Sequence, residues 1–270
     1  MVNTMTDYID KARRRLGRGG KDVGEILTNG TNIFINDNFH ISPTFQVLGV
    51  NSTEFPDIKS IDSRVLQIER MGALREVLFR PYEGLNVGAY ILFDGYTWLL
   101  TDIWGSKNAR QKALMQKCNR KLRWAIDDQW TMLDGNNNTV IDDSKILEVM
   151  CVASQSPLGS KSNQGKLEIE WNKYDVMLPM GQLYVFVERN SITKNIKLNQ
   201  RFIFGGNAYQ VVGVDDTTMV DENGFGIMQF TTKVTTKQEL DDFENGIAYN
   251  EYEESTDVVL PPVGDEGVIW

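Results

Sequence analysis

Residues 90–103 read YILFDGYTWLLTDI, two apolar runs on either side of Asp94-Gly95. An Asp-Gly pair takes the positive φ angles of a type I′ turn, whose twist matches that of paired strands, so the stretch is expected to be a β-hairpin. The chain writes this pattern twice. Residues 201–214, RFIFGGNAYQVVGV, lie 111 positions on, and a gapless overlay sets Phe204 on Phe93, Gly206 on Gly95, Tyr209 on Trp98 and Val214 on Ile103. Beyond the hairpins, Met228-Gln229 in GIMQFTT (226–232) echoes Met115-Gln116 in ALMQKCNRKLRW (113–124), after a small change in loop length. These features predict a mostly β chain with two related small modules, barrel-like or sandwich-like, an N-terminal amphipathic helix and an acidic C-terminal arm.

Working outward, the length of 270 residues accommodates two such modules, each with a core of its own. Hydrophobic residues at 41% and charged residues at 24% are values of an ordered globular chain. No apolar run approaches the roughly 18 residues of a membrane span, and the N-terminus has no apolar signal core, so a soluble protein made in the cytoplasm is expected. Cys118 and Cys151 are too few for a disulfide framework and form no C-x-x-C pair. A formal charge of −9 argues against a general nucleic-acid binder, which needs a basic surface.

The expected division is 1–50 for an N-terminal helix and extended arm, 51–133 for the first module, 134–237 for the second and 238–270 for the acidic arm. In residues 4–16, Met5, Tyr8, Ile9, Ala12 and Leu16 recur at helical spacing while Lys11, Arg13, Arg14 and Arg15 fill the polar surface. Such a basic helix docks on an acidic partner, faces DNA or lies solvated on its own domain. The following GRGGK (17–21), which contains Arg18, lacks the first Gly and the Ser or Thr of a phosphate loop and reads as a hinge. Residues 31–49 are expected to be strands or an extended arm, with β-like runs at 32–35 and 44–47. Residues 63–79 divide at Met71-Gly72 into two strands, and 145–152, 166–171 and 183–187 read as further strands, with an exposed loop over 154–165. The turn-rich DGNNNT (134–139) reads as a linker between modules. Its D-x-N-x-N spacing fails as a calcium loop, because Thr139 and Lys145 stand where Gly and Glu are needed.

The last 33 residues hold ten acidic residues and no Lys or Arg, with aromatic anchors at Phe243, Tyr249, Tyr252 and Trp270. An acidic arm with spaced anchors binds a partner groove or a neighbouring copy, whose basic helix is one acceptor. Lys11, Arg13, Arg14, Arg15, Arg18, Phe243, Tyr249, Tyr252 and Trp270 are therefore the interaction candidates. Catalysis is not expected. His40 is the only histidine and no G-x-S-x-G offers a nucleophile, so no catalytic, cofactor-binding or metal-ligating residue is assigned. Trp98, Tyr96 and Tyr209 suggest one alternative, stacking platforms of an OB-like module for single-stranded nucleic acid.

The run GAYILFDGYTWLL (88–100) followed by KCNRKLRW (117–124) resembles a pattern of virion neck proteins of tailed bacteriophages, in which a G-D-x-I … G-x-x-W-L-V hairpin precedes K-C-N-x-x-L-x-W. Ala89 stands where that family has an acid and Leu100 where it has Val. The resemblance spans residues 75–125 and, more weakly, the second copy. It implies a head-closure or head-to-tail connector: β-barrel modules in a homo-oligomeric ring beneath the portal, contacting portal or adaptor and tail proteins, letting DNA pass through the lumen and helping to seal the channel. A tail or baseplate structural protein is the neighbouring alternative.

Overall fold

The computed structural model describes residues 23–52, 56–68, 73–105, 111–126, 131–133, 139–142, 145–155, 158 and 181–250. Six strands, β1 (Phe45–Asn51), β2 (Ser60–Gln67), β3 (Leu74–Phe79), β4 (Tyr90–Phe93), β5 (Tyr96–Trp104) and β6 (Lys112–Lys117), close into an antiparallel barrel in the order β1-β2-β3-β6-β5-β4. The β4–β5 hairpin turns as its sequence dictates, with Asp94 at φ 53° and Gly95 at φ 74°. Leu48, Val77, Ile91, Trp98, Leu100 and Met115 fill the barrel, and the Trp98 indole N–H donates to the Phe93 carbonyl at 3.1 Å. The unbroken Trp98-Leu99-Leu100 has a simple cause: Trp98 and Leu100 point into the barrel, while Leu99 belongs to the core on its other side.

The second sheet contains β7 (Arg120–Ala125), β10 (Ile146–Ser154), β11 (Gln182–Glu188), β12 (Arg201–Phe204), β13 (Asn207–Asp215) and β14 (Ile227–Thr235), in the order β12-β13-β14-β11-β10-β7. Read backwards, this is the strand order of the first barrel. The overlaid hairpins share their register, Ile91 facing Trp98 as Phe202 faces Tyr209. Both carry a bulge at the same step, between Leu100 and Asp102 and between Val211 and Gly213. Carrying positions along the ladders sets buried residue on buried residue: Leu48 on Leu122, Ile61 on Val149, Val77 on Val185 and Leu100 on Val211. One detail of the sequence overlay is corrected. Asp102 pairs with Leu114 and Gly213 with Thr231, so Met115 matches Thr232; the Met-Gln echo identified the right strand four residues out of register.

The chain crosses between barrels at Cys118-Asn119, where Cys118 N–H bonds to the Thr97 carbonyl and Asn119 N–H to that of Cys151. The side-chain amide of Asn119 bonds to both backbone groups of Ala153, extending the second ladder through the turn. Residues 134–139 are consequently no linker between modules. Thr139 opens β9 (Thr139–Ile141), which pairs with β8 (Thr131–Leu133); both follow β7 and precede β10 in the chain, and 134–138 lie outside the described residues.

Residues 32–35 are helical, not extended: they fall in α1 (Val23–Asn38), which a 3-10 turn, Phe39–Ile41, follows. The Asn and Thr residues that read as loop signals bond back to the preceding turn, Thr28 Oγ1 to the Gly24 carbonyl, Thr31 Oγ1 to that of Leu27 and Asn38 Nδ2 to that of Phe34. Arg64 of β2 then donates to the Asn38 and Phe39 carbonyls at 2.6 and 3.1 Å, fastening the end of the helix to the first barrel.

Candidate interaction surfaces

The barrels meet over a shared core, because Tyr90, Leu99 and Cys118 on the outside of the first pack among Cys151, Val187, Phe202 and Phe230 of the second. At its centre the Tyr90 hydroxyl donates to the Met150 carbonyl and accepts from Glu188 N–H at 3.2 Å. Burial pushes the Tyr90 phenol above its ordinary range, so it stays neutral and able to donate. The buried Glu188 carboxylate accepts from Ser52 Oγ at 2.7 Å across the joint, and from Asn190 Nδ2 at 3.3 Å. Gly88, at φ 96°, touches the second barrel so closely that a Cβ there would lie 2.1 Å from the Gly226 carbonyl oxygen.

The second barrel is split. β1 and β4 pair at Gly49–Leu92, Val50–Ile91 and Asn51–Tyr90, whereas their equivalents β7 and β12 lie beside each other without forming a ladder. The residues equivalent to Val50 and Ile91 are Trp124 and Phe202, whose rings meet edge to face at 5.8 Å and hold the strands apart.

The first half of the acidic arm covers this seam. Arg201, buried on β12, forms a two-pronged ion pair with Asp241 at 2.8 Å for each prong, and also donates to Gln238 Oε1 and to the Thr236 and Tyr249 carbonyls. Burial opposes the Asp241 charge, yet hydrogen bonds from Arg201 and from the Gln238 and Tyr249 amides prevail and hold its carboxyl below the ordinary range. Asn250 stands in for a missing strand, its Oδ1 accepting from Arg201 N–H at 2.6 Å and its Nδ2 donating to the Arg201 carbonyl at 3.2 Å. On the other edge, Arg123 of β7 donates to the Asn245 carbonyl at 2.7 Å.

An open cleft of about 450 Å³ also lies between Val87, Ile103 and Gln111 of the first barrel and Met219, Asp221 and Phe225 in the β13–β14 loop. That loop is held by aspartates at its bends. The Thr218 side chain and the Thr218 and Thr217 amides draw the Asp215 carboxyl down to about 2, and Asp221 Oδ1 accepts from the Asn223 and Phe225 amides at 2.9 Å.

Of the residues singled out in the sequence, Phe243 and Tyr249 are described and both are half-buried on the chain's own second module. Phe243 lies under Lys237 Nζ at 4.3 Å, and the Tyr249 backbone is tied to Arg201 and Asp241. Lys11, Arg13, Arg14, Arg15, Arg18, Tyr252 and Trp270 lie outside the described residues. Trp98, 2% exposed inside the barrel, is no stacking platform for a base. Tyr209 is packed against the second core, and the exposed Tyr96 ring carries Lys117 Nζ at 2.9 Å. Burial pushes the Cys118 thiol up to about 12 and raises that of Cys151 as well, so both stay protonated. Among the described residues no group of three His, Cys, Asp or Glu is placed to hold a metal ion, and no helix is long and apolar enough to cross a membrane. Sequence reading missed Arg201 and Glu188, whose partners lie 40 and 136 residues away in the chain.

The second barrel has known relatives. Residues 120–233 match the YomX C-terminal domain. That family is phage-derived, from Bacillus prophage, so the chain is similar to a phage protein. The match starts at the first residue of β7 and stops within β14, covering the second barrel and leaving the first as its structural repeat. No curated protein matches the chain. One solved structure, described as "MrkH, A novel c-di-GMP dependence transcription regulatory factor", is similar across 79% of this chain and 85% of its own at 10% identity. Its TM-score of 0.17 supports no statement about this chain.

Proposed function

We propose that this chain is a non-enzymatic structural protein of a tailed-phage virion, a component of a homo-oligomeric ring in the neck that joins portal to tail and helps close the DNA channel. The observation that carries the reading is the duplication: a module similar to a phage-derived domain is repeated and welded to its copy through the buried Tyr90–Glu188 network. A welded pair of barrels transmits load between neighbouring rings, and its loops and arms remain available for contacts. An acidic chain also suits a lumen through which DNA slides without capture.

The test is the mass of the purified protein alone and with its portal, together with a protein inventory of virions. Closed rings of one copy number, sixfold or twelvefold, that bind portal or tail components are expected. Absence from virions, or failure to associate with either neighbour, overturns the proposal. Density for the chain in the distal tail or baseplate of an imaged particle would favour that position over the neck.

A further inference from the structure

The joint between the barrels is heterologous, because two different faces meet there. The first barrel contributes Tyr90 and Leu99, on the outside of β4 and β5. The second contributes Val152 and Phe186, paired across β10 and β11 and fully buried in the same core, together with Glu188. Since the barrels are repeats, each face has a counterpart at the opposite end of the pair. Ladder positions set Arg201 on Tyr90 and Gln210 on Leu99 at one end. At the other end they set Arg64 on Val152, Leu78 on Phe186 and Arg80 on Glu188.

Neither counterpart meets a barrel. Residues 236–250 occupy Arg201 through Asp241, Gln238 and the Thr236 and Tyr249 carbonyls. The other end is occupied by the end of α1: the Phe39 ring lies 4.8 Å from the Arg64 guanidinium carbon and 5.2 Å from that of Arg80. Arg64 also bonds to the Asn38 and Phe39 carbonyls, and Asn32 of α1 donates to the Tyr82 hydroxyl at 3.3 Å. The chemistry of the faces changes with their occupants. Tyr90, Leu99 and Val152 of the joint become arginine, glutamine and arginine at the outer ends, and Leu78 alone of the four counterparts stays apolar.

We propose that residues 236–250 and the α1–Phe39 segment are end caps. Each stands in for a missing barrel, and together they stop copies of the chain from adding end to end through the geometry of the joint. A heterologous contact that does not close on itself propagates into open filaments, so the two faces uncovered on one chain are a hazard. Stacked-repeat proteins meet the same hazard with terminal segments that replace the next repeat. The inference holds for whatever assembly the chain forms and does not rest on the proposed ring.

The test is complementary uncapping in the full chain. Arg201→Tyr and Arg64→Val each remove the group that holds a cap and install the residue of the joint. Either variant alone is expected to keep the wild-type mass, because its other end stays covered. An equimolar mixture is expected to give a species that joins one assembly of each, and the double variant to grow into open chains, both read by light scattering after size separation. Hydrogen exchange should rise at least roughly tenfold over 236–250 in Arg201→Tyr and over 23–38 in Arg64→Val, with β3 and β11 unchanged. Should either variant fail to fold, Asp241→Asn or Phe39→Ala releases the same cap and carries the same expectation. A mixture that shows only its separate components while both caps exchange freely overturns the proposal. Growth of one variant alone also overturns it, since a face would then be pairing with itself. Caps that stay protected overturn it as well, because Arg201 and Arg64 would not be what holds them.

Discussion

The two barrels share strand order, hairpin register and bulge position, yet the first is closed and the second is split. Strands in a ladder sit about 4.8 Å apart, and the side chains at the seam decide whether two edges reach that distance. In the first barrel Gly49 faces Leu92 and Val50 faces Ile91, and the edges pair. In the second, an indole and a phenyl ring occupy the space of Val50 and Ile91, and β7 and β12 keep unpaired edges. Unpaired edges invite stray strands. Residues 236–250 cover them with a buried ion pair and a side-chain amide, so one barrel is closed by its own ladder and the other by a strap.

The largest test of that contrast is Asp241→Ala, which leaves the Arg201 guanidinium buried without its carboxylate and is expected to cost about 3–5 kcal/mol in denaturant unfolding. The matching deletion in the first barrel, Asp62→Ala opposite Arg80, removes a partly exposed pair and is expected to cost less than about 1 kcal/mol. Acid should separate the barrels in the same way. Asp241 binds its proton less readily in the folded chain than in the unfolded one. Its stabilisation is therefore complete above the ordinary carboxylate range and is lost as pH falls through its lowered folded value. Hydrogen exchange resolved by segment should show β7 and β12 losing protection in acid before β1 and β4, and Asp241→Asn should remove the difference.

Next come the seam residues. Trp124→Val and Phe202→Ile, which install the side chains of the first barrel, are each expected to cost about 2–4 kcal/mol through the cavity they leave. Made together they should cost less than the sum, because the edges can then approach. A double-mutant cycle measures this, and strict additivity would show that seam volume does not set the split. The smallest effect is expected from Asn250→Ala, about 1 kcal/mol, with faster exchange confined to the Arg201 amide. Loss of protection throughout β12 would instead make the strap part of the sheet's core.

Much of the fold was legible because its signals are local. Asp94-Gly95 and Gly205-Gly206 announce their turns through backbone conformation, and the apolar runs around them are long enough to name the strands. The helix at 23–38 was not legible, since Thr28, Thr31 and Asn38 are helix-neutral residues whose side chains could bond to the backbone in a turn or in a helix. The interaction surfaces were legible only in outline. The acidic arm was visible as composition, and Phe243 and Tyr249 as anchors, but nothing in their spacing identified the chain's own β7–β12 seam as the acceptor.

By itself the sequence determined that two β-hairpin modules exist and where each turns, because positive φ angles and alternating apolar positions are properties of a few neighbouring residues. Only the tertiary structure decided that one module closes and the other stays split, that the chain crosses between them at Cys118-Asn119, and that Arg201 meets Asp241. Each of those outcomes depends on whether side chains far apart in the chain fit the space between two strands, and packing of that kind leaves no local pattern.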